Sequence, residues 1–220
     1  MQMGFSNQTN YPELVMTDRN STIQDIDKQP IIRSANGVGY NSGGKHKVRI
    51  DNKDVLSYIV WRNMLRRCYS KDNRPKDKTY KDCVVSSEFH DYQDFAEWYT
   101  NHDYYGLGYC LDKDILVKNN KVYSPSKCCL VPMEINNLFI DRRGDRGGLP
   151  IGVTYHPQSG KFISRLSTSN GRIYLGLFQT ASEAYQAYKL AKEGYVKQVV
   201  SEWRGRIDEN VYIKLMSWKA

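Results

Sequence analysis

The chain has 220 residues, of which 40% are hydrophobic and 25% are charged, so a folded protein of one large or two small domains is expected. Its 32 Lys and Arg residues outnumber 24 Asp and Glu residues, and the resulting formal net charge of +8 indicates an acidic polymer as partner. No apolar run is long enough to cross a bilayer and the first residues do not resemble a secretion signal, which argues against a membrane protein and predicts a cytoplasmic location.

Residues 1–44 are polar and lack periodicity, so a flexible N-terminal arm is predicted there. The following segment is basic, because residues 45–81 contain twelve Lys and Arg residues against four Asp residues. The helical spacing of apolar residues predicts a helix over residues 55–68. Arg62 and Arg66 fall outside its apolar side, where they form either a solvated surface or a contact with DNA phosphates.

A second helix is predicted over residues 91–101 and a strand over residues 109–111. The central stretch, residues 111–139, is then predicted to form a strand, a loop, a second strand and a short helix. Pro132 suits the first turn of that helix, where its missing N–H costs nothing. We expect residues 45–140 to form one module.

Oxygen-bearing side chains concentrate in the central stretch. Asp112 and Asp114 flank Lys113, Asn120 lies in the loop, and Asn136 lies on the short helix. Oxygen ligands from the two arms of such a unit would hold a hard divalent cation such as Mg²⁺. That cation could activate a water molecule against a phosphodiester. The alternative is that the two Asp residues are only the charged end of a strand and that Asn136 is an ordinary polar residue at the end of a helix.

The five cysteines are an odd number and include no Cys-x-x-Cys pair, so their spacing does not support a structural zinc site. Cys68, Cys83, Cys128 and His90 would have to converge in three dimensions to hold a metal. Free thiols that pack as small apolar residues are the preferred interpretation for a reducing compartment.

The C-terminal part begins after a segment over residues 141–150 that is rich in Arg and Gly and is predicted to be a linker. Three short strands are predicted over residues 151–155, 161–167 and 172–175, with hairpin turns between them. A capping box, Thr180 to Glu183, then opens a helix with a small-residue face for packing on the sheet. This sheet-plus-helix domain spans residues 151–200, and residues 201–220 form a helical tail.

Four segments of the chain share one family likeness: residues 58–69 (YIVWRNMLRRCY), 84–98 (VVSSEFHDYQDFAEW), 111–113 (LDK) and 130–136 (LVPMEIN). They resemble the HNH (His-Me finger, ββα-metal) endonucleases of the phage homing type. The resemblance implies that Asp112 and Asn136 bind the metal and that Asn120 holds the loop together. It also implies a location in the host-cell cytoplasm if the chain is phage-encoded.

One position departs from that family, because Lys113 stands where the family has its general-base histidine. An ordinary surface lysine is protonated, which makes it a poor base and a good phosphate ligand. Asp114 would point to the opposite face of a strand and so would not replace the histidine. Either the metal alone activates the water, or the scaffold is inactive and only binds DNA. Lys113, Arg142 or Arg143 would steady the phosphate.

The C-terminal domain carries a second likeness, in Gly152-Val153, Gly160-Lys161-Phe162, residues 172–176 (RIYLG) and residues 178–180 (FQT). It resembles the ethylene-response-factor (apetala-type) DNA-binding domain, which lays a three-stranded sheet into the major groove. The resemblance implies a set of base or phosphate contacts: Thr154, His156, Arg165, Arg172 and Tyr174. The alternative is that these residues form the polar outer face of a half-buried sheet.

The sequence therefore predicts an α+β protein with a ββα-metal-like nuclease module followed by a small three-stranded antiparallel sheet packed on one helix. The expected function is a metal-dependent endonuclease that cuts double-stranded DNA, with Asp112, Lys113, Asp114, Asn120 and Asn136 at the catalytic site. The alternatives are a DNA-binding regulator or inhibitor without activity and, less favoured, an RNA-binding module. The oligomeric state and the target site are not specified by the sequence.

Overall fold

The molecule is an assembly of short strands and five helices, seen in a computed structural model that describes residues 37–70, 80–140 and 148–220. The elements up to residue 140 are β1 (Arg49–Ile50), β2 (Lys53–Asp54), α1 (Leu56–Tyr69), β3 (Val84–Val85), a 3₁₀ turn (Ser87–Phe89), α2 (Tyr92–Thr100), β4 (Cys110–Asp112), β5 (Val122–Tyr123), β6 (Cys129–Val131) and α3 (Met133–Asn137). The remaining elements are β7 (Val153–His156), β8 (Lys161–Thr168), β9 (Gly171–Phe178), α4 (Ala181–Glu202) and α5 (Glu209–Met216).

The strands of the described residues pair in four small sheets. Three of these have two strands each: β1 with β2 antiparallel, β3 with β5 parallel, and β4 with β6 antiparallel. The fourth is an antiparallel sheet in the order β7, β8, β9. The predicted α+β class and the three-stranded sheet beside a helix are therefore confirmed, whereas the nuclease character of the central unit stays a prediction.

A first hydrophobic core joins α1 and α2 to the start of the central unit. Trp61 of α1 is 1% exposed, and its indole N–H donates to the carbonyl of Phe89 at 2.8 Å. Asp91 caps α2 by accepting from the N–H of Gln93 and also accepts from the N–H of Ser42, which fastens the preceding loop to this helix. Trp61 thus packs in this core and also forms a hydrogen bond across it, while Asp91 supplies two further hydrogen bonds at its edge.

A second hydrophobic core joins the C-terminal helices to the central unit. Val131 of β6 and Ile135 of α3 are fully buried against the far half of α4, where Val196 and Val200 are also fully buried. Val211 of α5 completes the same cluster. Consequently α4 contacts the three-stranded sheet with its first half and the central unit with its second half. The division into separate domains stays a prediction, but the two predicted modules share this core.

Two hydrogen bonds also link the C-terminal segment to the central unit beside the second core. The indole N–H of Trp203 donates to Glu134 Oε2 at 2.8 Å, and the hydroxyl of Tyr109 donates to the carbonyl of Arg206 at 2.7 Å. Both contacts join the segment after α4 to the central unit. The tail predicted over residues 201–220 contains helix α5, and its first residues are held against the central unit by these two hydrogen bonds.

The predicted helix positions agree closely with the structure. The helices expected over residues 55–68 and 91–101 are α1 and α2, and the capping box of α4 is present, with Thr180 accepting from the N–H of Glu183. In the C-terminal sheet β7 is one residue shorter than expected and β8 is one residue longer, whereas β9 extends from Gly171 to Phe178 instead of over residues 172–175. The parallel pair β3–β5 was not predicted, because strands of two residues carry no recognisable period.

Several predictions fall on parts of the chain outside the described residues. These are the N-terminal arm up to residue 36, the linker over residues 141–147, and the phosphate contacts at Arg142 and Arg143. Among the described residues, no helix combines the length and the apolar character needed to cross a membrane.

Candidate functional site

The carboxylate of Asp112 ends strand β4 and turns the chain. Its Oδ1 accepts from the backbone N–H of Asp114 at 2.7 Å and from that of Ile115 at 2.8 Å. Such side-chain-to-backbone bonds stabilise a turn in place of a continued strand. Burial raises the pKa of Asp112, while the two backbone bonds act in the opposite direction. Oδ1 accepts both of these hydrogen bonds, so Oδ2 is the oxygen that a cation would bind.

Strand β4 ends at Asp112, so the alternation expected if Lys113 and Asp114 lay on a strand does not apply to these two side chains. Lys113 is only 4% exposed, and its Nζ donates to Asp114 Oδ2 at 2.6 Å and to the carbonyl of Asn120 at 2.9 Å. A lysine ammonium is a donor only. In this position Lys113 holds the loop closed and does not face solvent as a base would.

Asn120 binds both ends of the loop from the inside. Its Nδ2 donates to the carbonyl of Lys113 at 2.8 Å and to that of Val122 at 2.6 Å. Its Oδ1 accepts from the N–H of Val122 at 3.0 Å. The side chain therefore performs the loop-holding role implied by the resemblance, while its assignment to a catalytic site stays a prediction.

Helix α3 lies against strand β4 and carries Asn136. The thiol of Cys110 contacts the sulfur of Met133 at 3.7 Å, which joins the strand to the first turn of the helix. Cys110 and Asp112 share one face of β4, and Met133 and Asn136 lie three residues apart on α3, so they point to the same side. Asp112 and Asn136 thus stand on two contacting elements, with hard oxygen atoms that suit Mg²⁺.

The described residues contain no group of three or more His, Cys, Asp or Glu side chains arranged around a common point. A cation at Asp112 and Asn136 would therefore rest on two protein oxygens and take its other ligands from water or from a bound phosphate. Mg²⁺ tolerates this arrangement, because it commonly keeps several waters and binds one or two carboxylates together with substrate phosphates.

The cysteines and His90 are placed as packing groups. All five cysteines are free, and burial raises the pKa of Cys68 and that of Cys128 to about 12. A metal-binding thiol must lose its proton, which such surroundings oppose. His90 Nε2 lies 2.9 Å from the carbonyl of Val85. Cys68, Cys83 and Cys128 pack in the first core and Cys129 packs in the second, as small apolar side chains do.

The three-stranded sheet gathers the predicted DNA contacts on one face. Arg165 is paired with Tyr174, and the register places Arg172 opposite Ser167 on the same face. The pairings Thr154 with Ile163 and His156 with Lys161 continue this face onto strand β7. Residues that pair across antiparallel strands point to the same side. We call this set the outer face: Thr154, His156, Lys161, Ile163, Arg165, Ser167, Arg172, Tyr174 and Leu177.

The opposite side of the sheet is covered by α4. Val153 and Leu166 are 5% and 2% exposed there, and Ala184 and Tyr188 of the helix are buried. Gly152 precedes β7 with φ +78°, and a Cβ at that position would lie 2.0 Å from the ring of Tyr188. The absence of a side chain at Gly152 therefore lets α4 approach the sheet closely. Because α4 covers this side, the outer face is the accessible surface of the sheet.

The outer face is cationic and mostly open to solvent, except at Ile163, which is only 9% exposed. Arg165 and Arg172 are exposed, and Tyr174 is 59% exposed. The three strands contain no Asp or Glu residue, so no carboxylate of the sheet opposes these cations. His156 is less available, because its Nδ1 lies 2.9 Å from the hydroxyl of Ser159 in the following turn.

The arginines of α1 differ in their surroundings. Arg62 donates to Asp54 Oδ2 at 3.0 Å, shares that carboxylate with Arg49, and lies over the ring of Tyr58. Arg66 is exposed in the last turn of the helix. Arg67, which was not among the predicted contacts, stacks over Tyr80 near β4 and β5. No sequence signal distinguishes Arg67 from its neighbours, because its role depends on what the fold places beside it.

Comparison with models of protein families gave no match, and neither the curated proteins nor the solved structures contain one that matches this chain.

Proposed function

We propose that this protein binds double-stranded DNA through the outer face of the three-stranded sheet. The single observation that supports the proposal most is the register of β7, β8 and β9, because it gathers Thr154, Arg165, Arg172 and Tyr174 on one accessible face. Arginine forks bind guanine edges or phosphates, and a sheet face fits the major groove. The strands carry no opposing carboxylate, and the chain as a whole has a net charge of +8.

The test is a titration of a fluorescein-labelled duplex at several salt concentrations. Binding to phosphates releases counterions, so the logarithm of the association constant should fall linearly with the logarithm of salt concentration. The double variant Arg165→Gln with Arg172→Gln should bind at least tenfold more weakly, at about 1 kcal/mol or more per contact. Lys214→Gln, an exposed charge loss on α5, is the matched control.

Three results would contradict the proposal. Binding that does not depend on salt would exclude phosphate contacts, and an unchanged affinity in the double variant would exclude the outer face. Unlabelled single-stranded RNA that competes better than unlabelled duplex would favour the RNA-binding alternative.

A second candidate function is metal-dependent cleavage of the bound DNA at the central unit. The observation that favours it is the strand–loop–strand–helix order of β4, β6 and α3, with Asp112 and Asn136 on contacting elements. Asp112 Oδ2 and the Asn136 side chain would hold Mg²⁺, which would supply an activated water. Asp114, which pairs with Lys113, and Asn120 would act by keeping the loop in shape.

The position of Lys113 weighs against cleavage. A general base must present a lone pair to the water, whereas the Lys113 ammonium is enclosed and donates to Asp114 and Asn120. The geometry therefore supports DNA binding without cleavage better than an active nuclease, and any activity would depend on the metal alone.

Supercoiled plasmid incubated with Mg²⁺ or with EDTA separates the two functions. An active nuclease should nick the plasmid only with Mg²⁺ and should lose cleavage but not binding in Asp112→Ala. Asp112→Asn is the milder variant, because its side-chain oxygen can still accept the two turn bonds. If neither strand is cut by the native protein and Lys113→His gains activity, the central unit is a scaffold that lacks its base.

A further inference from the structure

Arg67 occupies a distinct position where α1 meets the central unit. Its guanidinium carbon lies 5.6 Å from the centre of the Tyr80 ring, the same group interacts with the Tyr123 hydroxyl on β5, and its charge acts electrostatically on the Cys110 thiol of β4. A planar guanidinium resting on an aromatic ring is held in a defined orientation. Arg67 is nevertheless exposed, so a ligand can reach it from solvent.

The charge of Arg67 lacks an acidic partner among these contacts. Among the described residues, the largest electrostatic effects on it come from Tyr80, Tyr123 and Cys110, and none of the three is a carboxylate. Arg62, one turn earlier, provides the contrast, because it pairs with Asp54. A guanidinium partly withdrawn from water gains most from a charged acceptor that it can bind with two parallel hydrogen bonds, and a phosphate offers this geometry.

The neighbouring strand gives this position its significance. Cys110, on whose thiol the charge of Arg67 acts, and Asp112 lie on the same face of β4 and are two residues apart, which is about 7 Å along a strand. We infer that Arg67 binds a backbone phosphate of the duplex beside the central unit, as a contact separate from the outer face of the sheet. The inference rests on the proposed DNA binding and extends the DNA path from the sheet to β4.

Salt-dependent binding of the labelled duplex tests the contact. Loss of one phosphate contact in Arg67→Gln should reduce the salt slope by about 0.9 and weaken binding severalfold at low salt. Arg67→Lys keeps the charge and should keep the slope. Lys214→Gln, which removes the same charge from α5, should resemble the native protein. A native slope in folded Arg67→Gln would overturn the inference.

A measurement on the native protein covers the case in which the variant does not fold. Phenylglyoxal modifies accessible arginines, and mass spectrometry of the modified protein with and without duplex reports which of them the duplex protects. Protection of Arg67 supports the inference. Protection of Arg165 and Arg172 without Arg67 overturns the inference alone, whereas a lack of protection at all three positions, together with binding that ignores salt, overturns the proposed function as well.

Discussion

The loop after β4 and the outer face of the C-terminal sheet use similar polar residues in opposite ways. In the loop, Lys113 and Asn120 are buried and each donates to the backbone carbonyl of the other, and Lys113 also donates to Asp114, so these two side chains are engaged inside the protein. On the sheet, Arg165 and Arg172 stand exposed on strands without a carboxylate. Polar groups that satisfy each other stabilise the fold, whereas exposed cations without a partner on their own element are available to a ligand.

The largest expected loss of stability follows from a substitution at Gly152, on the side of the sheet that α4 covers. Alanine there would meet the Tyr188 ring and would sit at φ +78°, so both overpacking and backbone strain should lower the free energy of unfolding, by about 3 kcal/mol in total. Denaturant unfolding measures this change. Gly160→Ala is the control, since it has φ +66° with nothing within 4 Å and should cost only about 1 to 2 kcal/mol. Equal losses in the two variants would refute the close approach of α4.

The loop should show the next largest effect. Asn120→Ala removes three hydrogen bonds and leaves buried backbone groups unpaired, so the free energy of unfolding should fall by about 2 kcal/mol or more. Asn137→Ala, on the exposed side of α3, should change it by less than about 0.5 kcal/mol. If both variants unfold at the same denaturant concentration, the loop does not depend on Asn120.

A cluster of ionic groups around Glu97 on α2 is intermediate between the two regions. Its groups are hydrogen-bonded to one another, as in the loop, but they are open to solvent, as on the sheet. Glu97 accepts from Lys45, His46 and Asn101, and these bonds lower its pKa to about 2. The unfolded chain therefore binds more protons than the native state between the usual glutamate pKa and about pH 2, and stability should fall as pH falls through that window. The effect is small, because the Glu97 side chain is 45% exposed.

Thermal unfolding across that pH range tests the cluster. Glu97→Gln should lose this part of the acid dependence, whereas Glu88→Gln, the removal of another exposed carboxylate, should retain it. An identical pH profile for native protein and Glu97→Gln would exclude the contribution.

The smallest change in stability is expected on the outer face itself. Arg165→Gln with Arg172→Gln removes no buried contact, so the free energy of unfolding should stay within about 0.5 kcal/mol of the native value. The same protein should lose DNA affinity as described above. A large loss of stability would mean that these arginines support the fold, and the contrast between loop and sheet would then fail.

Local patterns predicted the elements whose residues follow a regular period. The apolar spacing of α1 and the Thr180–Glu183 capping box both appear as expected, because each is decided within one or two helical turns. The parity of the sheet strands also placed Thr154 with His156, and Arg172 with Tyr174, on common faces. The grouping of all these residues into one face needed the register between strands, which depends on pairing across the turns.

Other features had no local signal. The strand was expected over residues 109–111, but no local pattern showed that the Asp112 carboxylate would turn the chain, or that Lys113 would close the loop against a carbonyl seven residues away. The interaction of Arg67 with the Tyr123 hydroxyl likewise joins elements far apart in the chain. Such contacts depend on long-range packing.

By itself the sequence determined the net positive charge, the mixed helix and strand content, the capping box of α4 and the side-chain alternation of the C-terminal strands, because these follow from composition and from interactions between near neighbours. Only the tertiary structure decided that α4 joins the sheet to the central unit through a shared core, and that the lysine after Asp112 is enclosed while the arginines of the sheet stay open. The physical reason is that burial and charge pairing depend on which distant segments meet, and a linear pattern does not contain that information.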